Sequence, residues 1–244
     1  MKKIIIIGDS TAMPRHGLPY EDTWLYRLKE AAAGMDIIDR SARGATSDRL
    51  LTEGGGGADL LETYMPDAAV IALGITDCAP RLFKRAGFEY KMINRFLNGR
   101  LRAKYIDYIK RRRGRDPDFT EVPPERYRYN LKKFSERAAA VNCPVIIIKI
   151  MQANSSLTLK SPSAGKNINL YNSIIDEICA EKKEVYSINP LSGEYIDALS
   201  IDETHPNREG HSAVLKELIS AFEKAGIHIS IPKPDLQAFS EELQ

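Results

Sequence analysis

The chain has 244 residues, 43% hydrophobic and 28% charged. That balance is ordinary for a folded globular protein and excludes a highly charged disordered chain. With 35 Lys+Arg against 33 Asp+Glu the formal net charge is +2, which argues against a uniformly basic nucleic-acid binder.

Five short Ile/Val-rich runs read as buried parallel strands: residues 4–7, 37–39, 69–73, 145–150 and 185–188. Helical patterns separate them. The first covers residues 24–33, capped by Asp22 or Thr23 and stopped by Gly34, with Trp24 in the core. Shorter helices follow at 47–51 and at 60–64, before Pro66. The glycine run at 54–57 reads as a flexible turn, because no Lys-Ser/Thr pair follows to make it a phosphate loop. Long helices are expected at 90–112, 125–141, 167–182 and 207–225, the last capped by Asn207 and ended by Gly226.

Strands alternating with helices predict a single three-layer α/β/α domain with a parallel, doubly wound sheet of order 2-1-3-4-5. Ligands in such sheets sit beyond the carboxyl ends of the strands. One connection is abnormally long: residues 74–144 lie between the third and fourth strands. The excess reads as a cap or an interaction arm.

The three cysteines, Cys78, Cys143 and Cys179, share no short ligand spacing, so neither a disulfide framework nor a metal site is expected. The apolar run after Lys2-Lys3 is too short for a signal peptide, and nothing approaches a membrane span. A cytoplasmic location is the expectation.

The strand ends carry the chemistry. The first ends in Gly8-Asp9-Ser10. A serine there is either a turn cap or a nucleophile beside free backbone N–H groups, and a nucleophile needs a base. Near the other end, Asp202-Glu203-Thr204-His205 spaces a carboxylate and an imidazole so that Asp202 can accept from Nδ1–H and leave Nε2 to take a proton. His205 could otherwise be a surface or capping residue. His16, His211 and His228 lack that context and read as structural. The second strand leads to Gly44, and the third to Gly74-Ile75-Thr76-Asp77.

In these blocks the sequence resembles the SGNH (GDSL-type) hydrolases. Gly8-Asp9-Ser10 resembles the nucleophile block, Gly44 the glycine donor of the second, Gly74–Asp77 the third and Asp202-x-x-His205 the fourth. The resemblance implies a flavodoxin-like sheet and a serine esterase that needs no metal or cofactor. Ser10 would attack the acyl carbonyl, His205 would carry the proton, Asp202 would orient His205, and Ser10 and Gly44 N–H would hold the oxyanion. At position 76 the family pattern has Asn where this chain has Thr76. Three readings stay open: Thr76 substitutes as the oxyanion donor, Gln152 or Asn154 reaches in, or turnover is weak. Asp9, Arg15, Asp77, Arg81 and Asn154 are candidate substrate contacts. The alternative for Asp77 is ordering its loop, and for each arginine a surface ion pair.

Residues 81–133 hold 17 Lys+Arg and 6 Asp+Glu, with aromatics from Phe83 to Tyr129 between them. This basic helical insertion fits an anionic partner: glycan, lipid headgroup or, less readily, nucleic acid. Its aromatics may simply pack on the body of the protein. The leading expectation is an esterase or deacylase acting on a small acyl group of an anionic or carbohydrate-containing substrate. The rivals are a catalytically weak protein that binds an anionic polymer, and an acyltransferase to a sugar hydroxyl.

Overall fold

The computed structural model describes residues 1–52, 59–83, 87–113 and 119–229, so the expected turn at 54–57 lies outside the described residues. Five strands form one parallel sheet: β1 (Lys3–Gly8), β2 (Asp36–Asp39), β3 (Ala68–Ala72), β4 (Val145–Ile148) and β5 (Val185–Ile188). Their order is β2-β1-β3-β4-β5, as the alternating pattern predicts. Ile5 of β1 pairs with Ile38 of β2 on one side and Ala69 of β3 on the other.

Every residue of β3 and β4 is buried, which is why these strands are continuous apolar runs. The pleat divides β1 between two cores. Ile5 and Ile7 pack with α6 (Pro124–Ala140) and α8 (Pro162–Glu181), through Leu131, Phe134, Tyr171 and Ile175. Ile4 and Ile6 face α1 (Trp24–Ala31) and α9 (Arg208–Lys224), through Leu25, Leu28, Leu218 and Phe222. Trp24, 2% exposed, belongs to this second core. α2 (Leu60–Tyr64) precedes β3 and buries Leu60 and Leu61.

Three departures from the expected elements have local causes. The helix expected at 90–112 is two, α4 (Phe88–Phe96) and α5 (Gly99–Arg113). Leu97 is extended there, and Asn98 starts the second helix by accepting from the Leu101 N–H at 3.2 Å. α8 begins at Pro162, five residues early, because proline suits the first helical position. Two short helices escape the periodicity: α3 (Ile75–Cys78) and α7 (Ser155–Lys160).

The basic stretch divides in two. Residues from Pro124 onward form α6, the ordinary crossover helix, whose Tyr127 is fully buried and donates to the Leu73 carbonyl at 3.2 Å. Its cations meet the acidic body: Arg126 pairs with Asp48, Arg128 with Glu177, and Lys132 with Glu181. α4 and α5 form the excess. Their exposed aromatics include Phe88 (78%), Phe96 (65%) and Tyr108 (53%). Packing on the body therefore accounts for Tyr127 and not for Phe88 and Phe96. Among the described residues, no helix is long and apolar enough to cross a membrane.

Candidate active site

The carboxyl ends of β1, β2 and β3 bring three loops together. After Gly8, the Asp9 N–H donates to the Ala72 carbonyl of β3 at 3.0 Å, and a 3₁₀ turn covers Ser10–Ala12. Asp9 caps that turn: its Oδ1 accepts from the N–H and hydroxyl of Thr11, both at 2.8 Å. A Cβ at Gly8 would stand 2.7 Å from Ser41 Oγ, so glycine lets the loop after β2 close against the serine turn.

The histidine comes from the loop after β5. Ser10 Oγ lies 2.9 Å from His205 Nε2, across 195 residues of sequence. His205 Nδ1 lies 2.7 Å from Asp202 Oδ1. The same oxygen accepts from the Thr204 N–H at 2.9 Å and the His205 N–H at 3.0 Å. The Asp-x-x-His spacing is thus a turn in which the carboxylate caps the backbone as well as meeting the ring. Nδ1 carries the proton that Asp202 accepts, which leaves the Nε2 lone pair to the serine hydroxyl.

Neighbours hold this loop. Asn207 caps α9 by accepting from the Gly210 N–H at 2.9 Å. A Cβ at Gly210 would lie 2.4 Å from the Leu199 carbonyl, so a glycine is needed where α9 meets the loop. His211 is structural, as expected. It is buried and accepts the Trp24 N–H on Nδ1 at 3.1 Å, and burial pushes its pKa down to about 4.

Arg15 and Asn154 have tasks their sequence context did not show. Arg15 Nη2 lies 3.2 Å from Asp202 Oδ2, so the cation faces the carboxylate beside His205. Asn154 caps α7 through its oxygen, which accepts from the Leu157 N–H, and its Nδ2 donates to the Asp202 carbonyl; both bonds are 2.8 Å. It therefore props the Asp202 turn. Gln152 is likewise engaged, accepting from the Gly193 N–H at 2.8 Å. Arg81 stands at the base of the α4–α5 arm, where its N–H donates to the Phe119 carbonyl at 3.0 Å. No signal within reach of a short motif could have revealed these pairings, which span long stretches of sequence.

Two loops flank the serine. Gly44 has φ +69, a left-handed conformation that favours glycine. Thr76 and Asp77 lie in α3, 5% and 0% exposed. Asp77 Oδ1 accepts from the Ser47 N–H at 2.8 Å, and Asn130 of α6 donates to the Ser47 hydroxyl at 2.9 Å. Asp77 therefore ties the segment after Gly44 to the helix bearing Thr76. Asp9 and Asp77, expected as substrate contacts, are both buried and turned into the protein.

Electrostatics follow burial. Burial raises Asp9 to about 6 and Asp77 to about 7, against the hydrogen bonds from Thr11 and Ser47. Burial also lowers His205, helped by the Arg15 and Arg43 cations and opposed by Asp202. For Asp202 burial acts upward, but the Thr204 N–H, His205 and Arg15 outweigh it and hold the carboxylate below its ordinary range. The base is thus neutral and its partner ionised at neutral pH. Among the described residues, no group of three His, Cys, Asp or Glu side chains could hold a metal ion. A cavity of about 30 Å³ lies behind the site, lined in part by Asp9, Thr11, Thr204 and Pro206.

A parallel five-stranded sheet with a serine, a histidine and an aspartate at its carboxyl edge places the chain among the α/β hydrolytic folds. The chain belongs to the GDSL-like lipase/acylhydrolase family of ester hydrolases, whose pattern matches residues 6–213. Solved structures share the fold. An esterase, EstA, from Pseudoalteromonas sp. is 19% identical with a TM-score of 0.55, covering 92% of this chain and 98% of that one. A lipase/acylhydrolase from Enterococcus faecalis is 16% identical with a TM-score of 0.60, covering 92% and 96%. An acetylxylan esterase, Axe2, from Geobacillus stearothermophilus is 15% identical with a TM-score of 0.57, covering 95% and 97%. A comparison with curated protein sequences finds no match.

Two measurements test the electrostatics. Folded Asp77, at about 7, keeps its proton across a range where the unfolded carboxyl, near 3.8, has lost it. The folded state then binds more protons, so stability falls as pH rises from about 4 to about 7 and levels off above. Asp77→Asn removes this dependence. Thermal melts should therefore show the native protein losing Tm relative to the variant across that window. In Arg15→Gln, the His205 ring should titrate at higher pH than in the native protein, read from its imidazole C–H resonances; an unmoved midpoint refutes the coupling.

Proposed function

We propose that the protein is a serine esterase or deacylase that hydrolyses an ester of a small acyl group through Ser10, His205 and Asp202. The observation that carries this reading is the continuous chain Ser10 Oγ–His205 Nε2, 2.9 Å, and His205 Nδ1–Asp202 Oδ1, 2.7 Å. Ser10 Oγ attacks the acyl carbonyl as its proton passes to His205 Nε2. The imidazolium is stabilised by Asp202 and then protonates the departing alcohol oxygen. Water, deprotonated by the same ring, attacks the acyl-Ser10 ester and releases the carboxylic acid, restoring the serine.

Negative charge on the carbonyl oxygen is held by the N–H groups of Ser10 and Gly44 and by the Thr76 hydroxyl. The Asp77–Ser47 bond supports the Gly44 and Thr76 arrangement, because it fixes their two loops relative to each other. Donors held in place stabilise charge without reorganising during the reaction. The substrate class we favour is an acylated anionic or carbohydrate-containing molecule, on the strength of the cationic α4–α5 arm that begins just beyond Thr76 and Asp77.

Ser10→Ala and His205→Ala should each lower the turnover of short-chain p-nitrophenyl esters by about 10³-fold or more. A fluorophosphonate should label the native protein and not Ser10→Ala. Equal rates in all three proteins, with no labelling, would instead favour a protein that binds an anionic polymer. Thr76→Val should cost roughly 10²- to 10³-fold in kcat with little change in KM, as for the loss of one oxyanion donor. An unchanged kcat would remove Thr76 from the oxyanion site.

A further inference from the structure

The α4–α5 arm carries apolar side chains that the fold does not use. α4 already buries Ile93 on its inner side. Along the adjoining strip of the helix Phe88, Met92 and Phe96 are 78%, 40% and 65% exposed. Their spacing of four residues places them along one side of the helix. Lys91 and Arg95 are exposed beside them, and the Arg95 guanidinium stands 6.0 Å from the centre of the Phe96 ring.

α5 repeats the theme. It turns Ile109 inward and leaves Leu101 and Tyr108 each 53% exposed. Lys104 and Arg111 are exposed and share their side of the helix at spacings of three and four. Across both helices the described, exposed cations are Lys91, Arg95, Arg100, Arg102, Lys104 and Arg111. The acidic residues on these helices are Glu89 and Asp107. The α6 cations further on are engaged with the acidic body, so the arm is chemically distinct from the rest of the basic stretch.

We propose that the α4–α5 arm docks on an anionic phospholipid surface, with Phe88, Met92 and Phe96 entering the headgroup region and the flanking cations pairing with lipid phosphates. The charge complementarity is direct: on both helices exposed cations run alongside an apolar stripe, as on helices that lie in a membrane interface. The aliphatic Met92 and Leu101 in these stripes favour a lipid surface over nucleic acid, because stacking on bases needs planar side chains. Binding does not depend on the proposed triad and is read without turnover.

The test is co-sedimentation of the full chain with vesicles of phosphatidylcholine alone, or with about 30 mol % phosphatidylglycerol, at about 0.05 M and about 0.5 M salt. Binding should require phosphatidylglycerol and weaken at the higher salt. Phe88→Ser/Phe96→Ser and Lys91→Glu/Arg95→Glu should each reduce partitioning about tenfold or more. Circular dichroism should remain native in both variants, and hydrolysis of a soluble p-nitrophenyl ester should remain at native levels in Phe88→Ser/Phe96→Ser, which separates docking from folding and from the triad. Three results overturn the proposal: no binding to anionic vesicles, binding that survives the phenylalanine substitutions, or tight binding of a single-stranded oligonucleotide by a protein that ignores vesicles. Failure of the ester assay with vesicle binding intact would refute the proposed triad and leave the docking surface standing.

Discussion

Everything at the site depends on how firmly Asp202 is held. A carboxylate that orients an imidazole through one hydrogen bond is useful only if it cannot swing. Here one oxygen accepts from the Thr204 N–H, the His205 N–H and the His205 ring, and the other faces Arg15. The Asp202 carbonyl takes a further bond from Asn154. Elements after β4, after β5 and after the serine turn are thereby fastened to one residue. His205 then reaches Ser10 with no freedom left in the Asp202 turn. The lowered pKa of Asp202, despite its burial, is the electrostatic mark of those donors.

The opposite wall is arranged by the same logic with a different carboxylate. Asp77 joins the segment after β2 to the helix after β3, and Asn130 of α6 reinforces Ser47 from behind. Desolvation is severe there, so the tie is made at a cost in the ionised form. The fold accepts that cost where loops must be fixed relative to one another.

The sheet was legible because buried parallel strands leave unbroken apolar runs, and the Asp202–His205 pair because it is a local turn. The place of Ser10 could be read because strand ends converge in this topology. What escaped was long-range or depended on caps. The break between α4 and α5 turns on Asn98, whose side chain starts a helix inside an otherwise helical pattern. Arg15 and Asn154 were visible as residues near the site, but their partners lie 187 and 48 positions away. Net charge misled in the same manner. The +11 of residues 81–133 looked like a single surface, yet the α6 portion is matched across space by Asp48, Glu177 and Glu181.

The contact between Ser10 and His205 closes a loop of 195 residues. β1 lies in the interior of the sheet, yet its serine acquires a base only after β5 and the start of α9 are in place. A chain emerging from the ribosome would therefore carry an inert serine until nearly all of the described fold had been made. In the proposed triad, chain order alone would delay the serine's reactivity until then. Serine reactivity would also report completion of the whole α/β domain, since no partial assembly of β1 to β4 holds both partners.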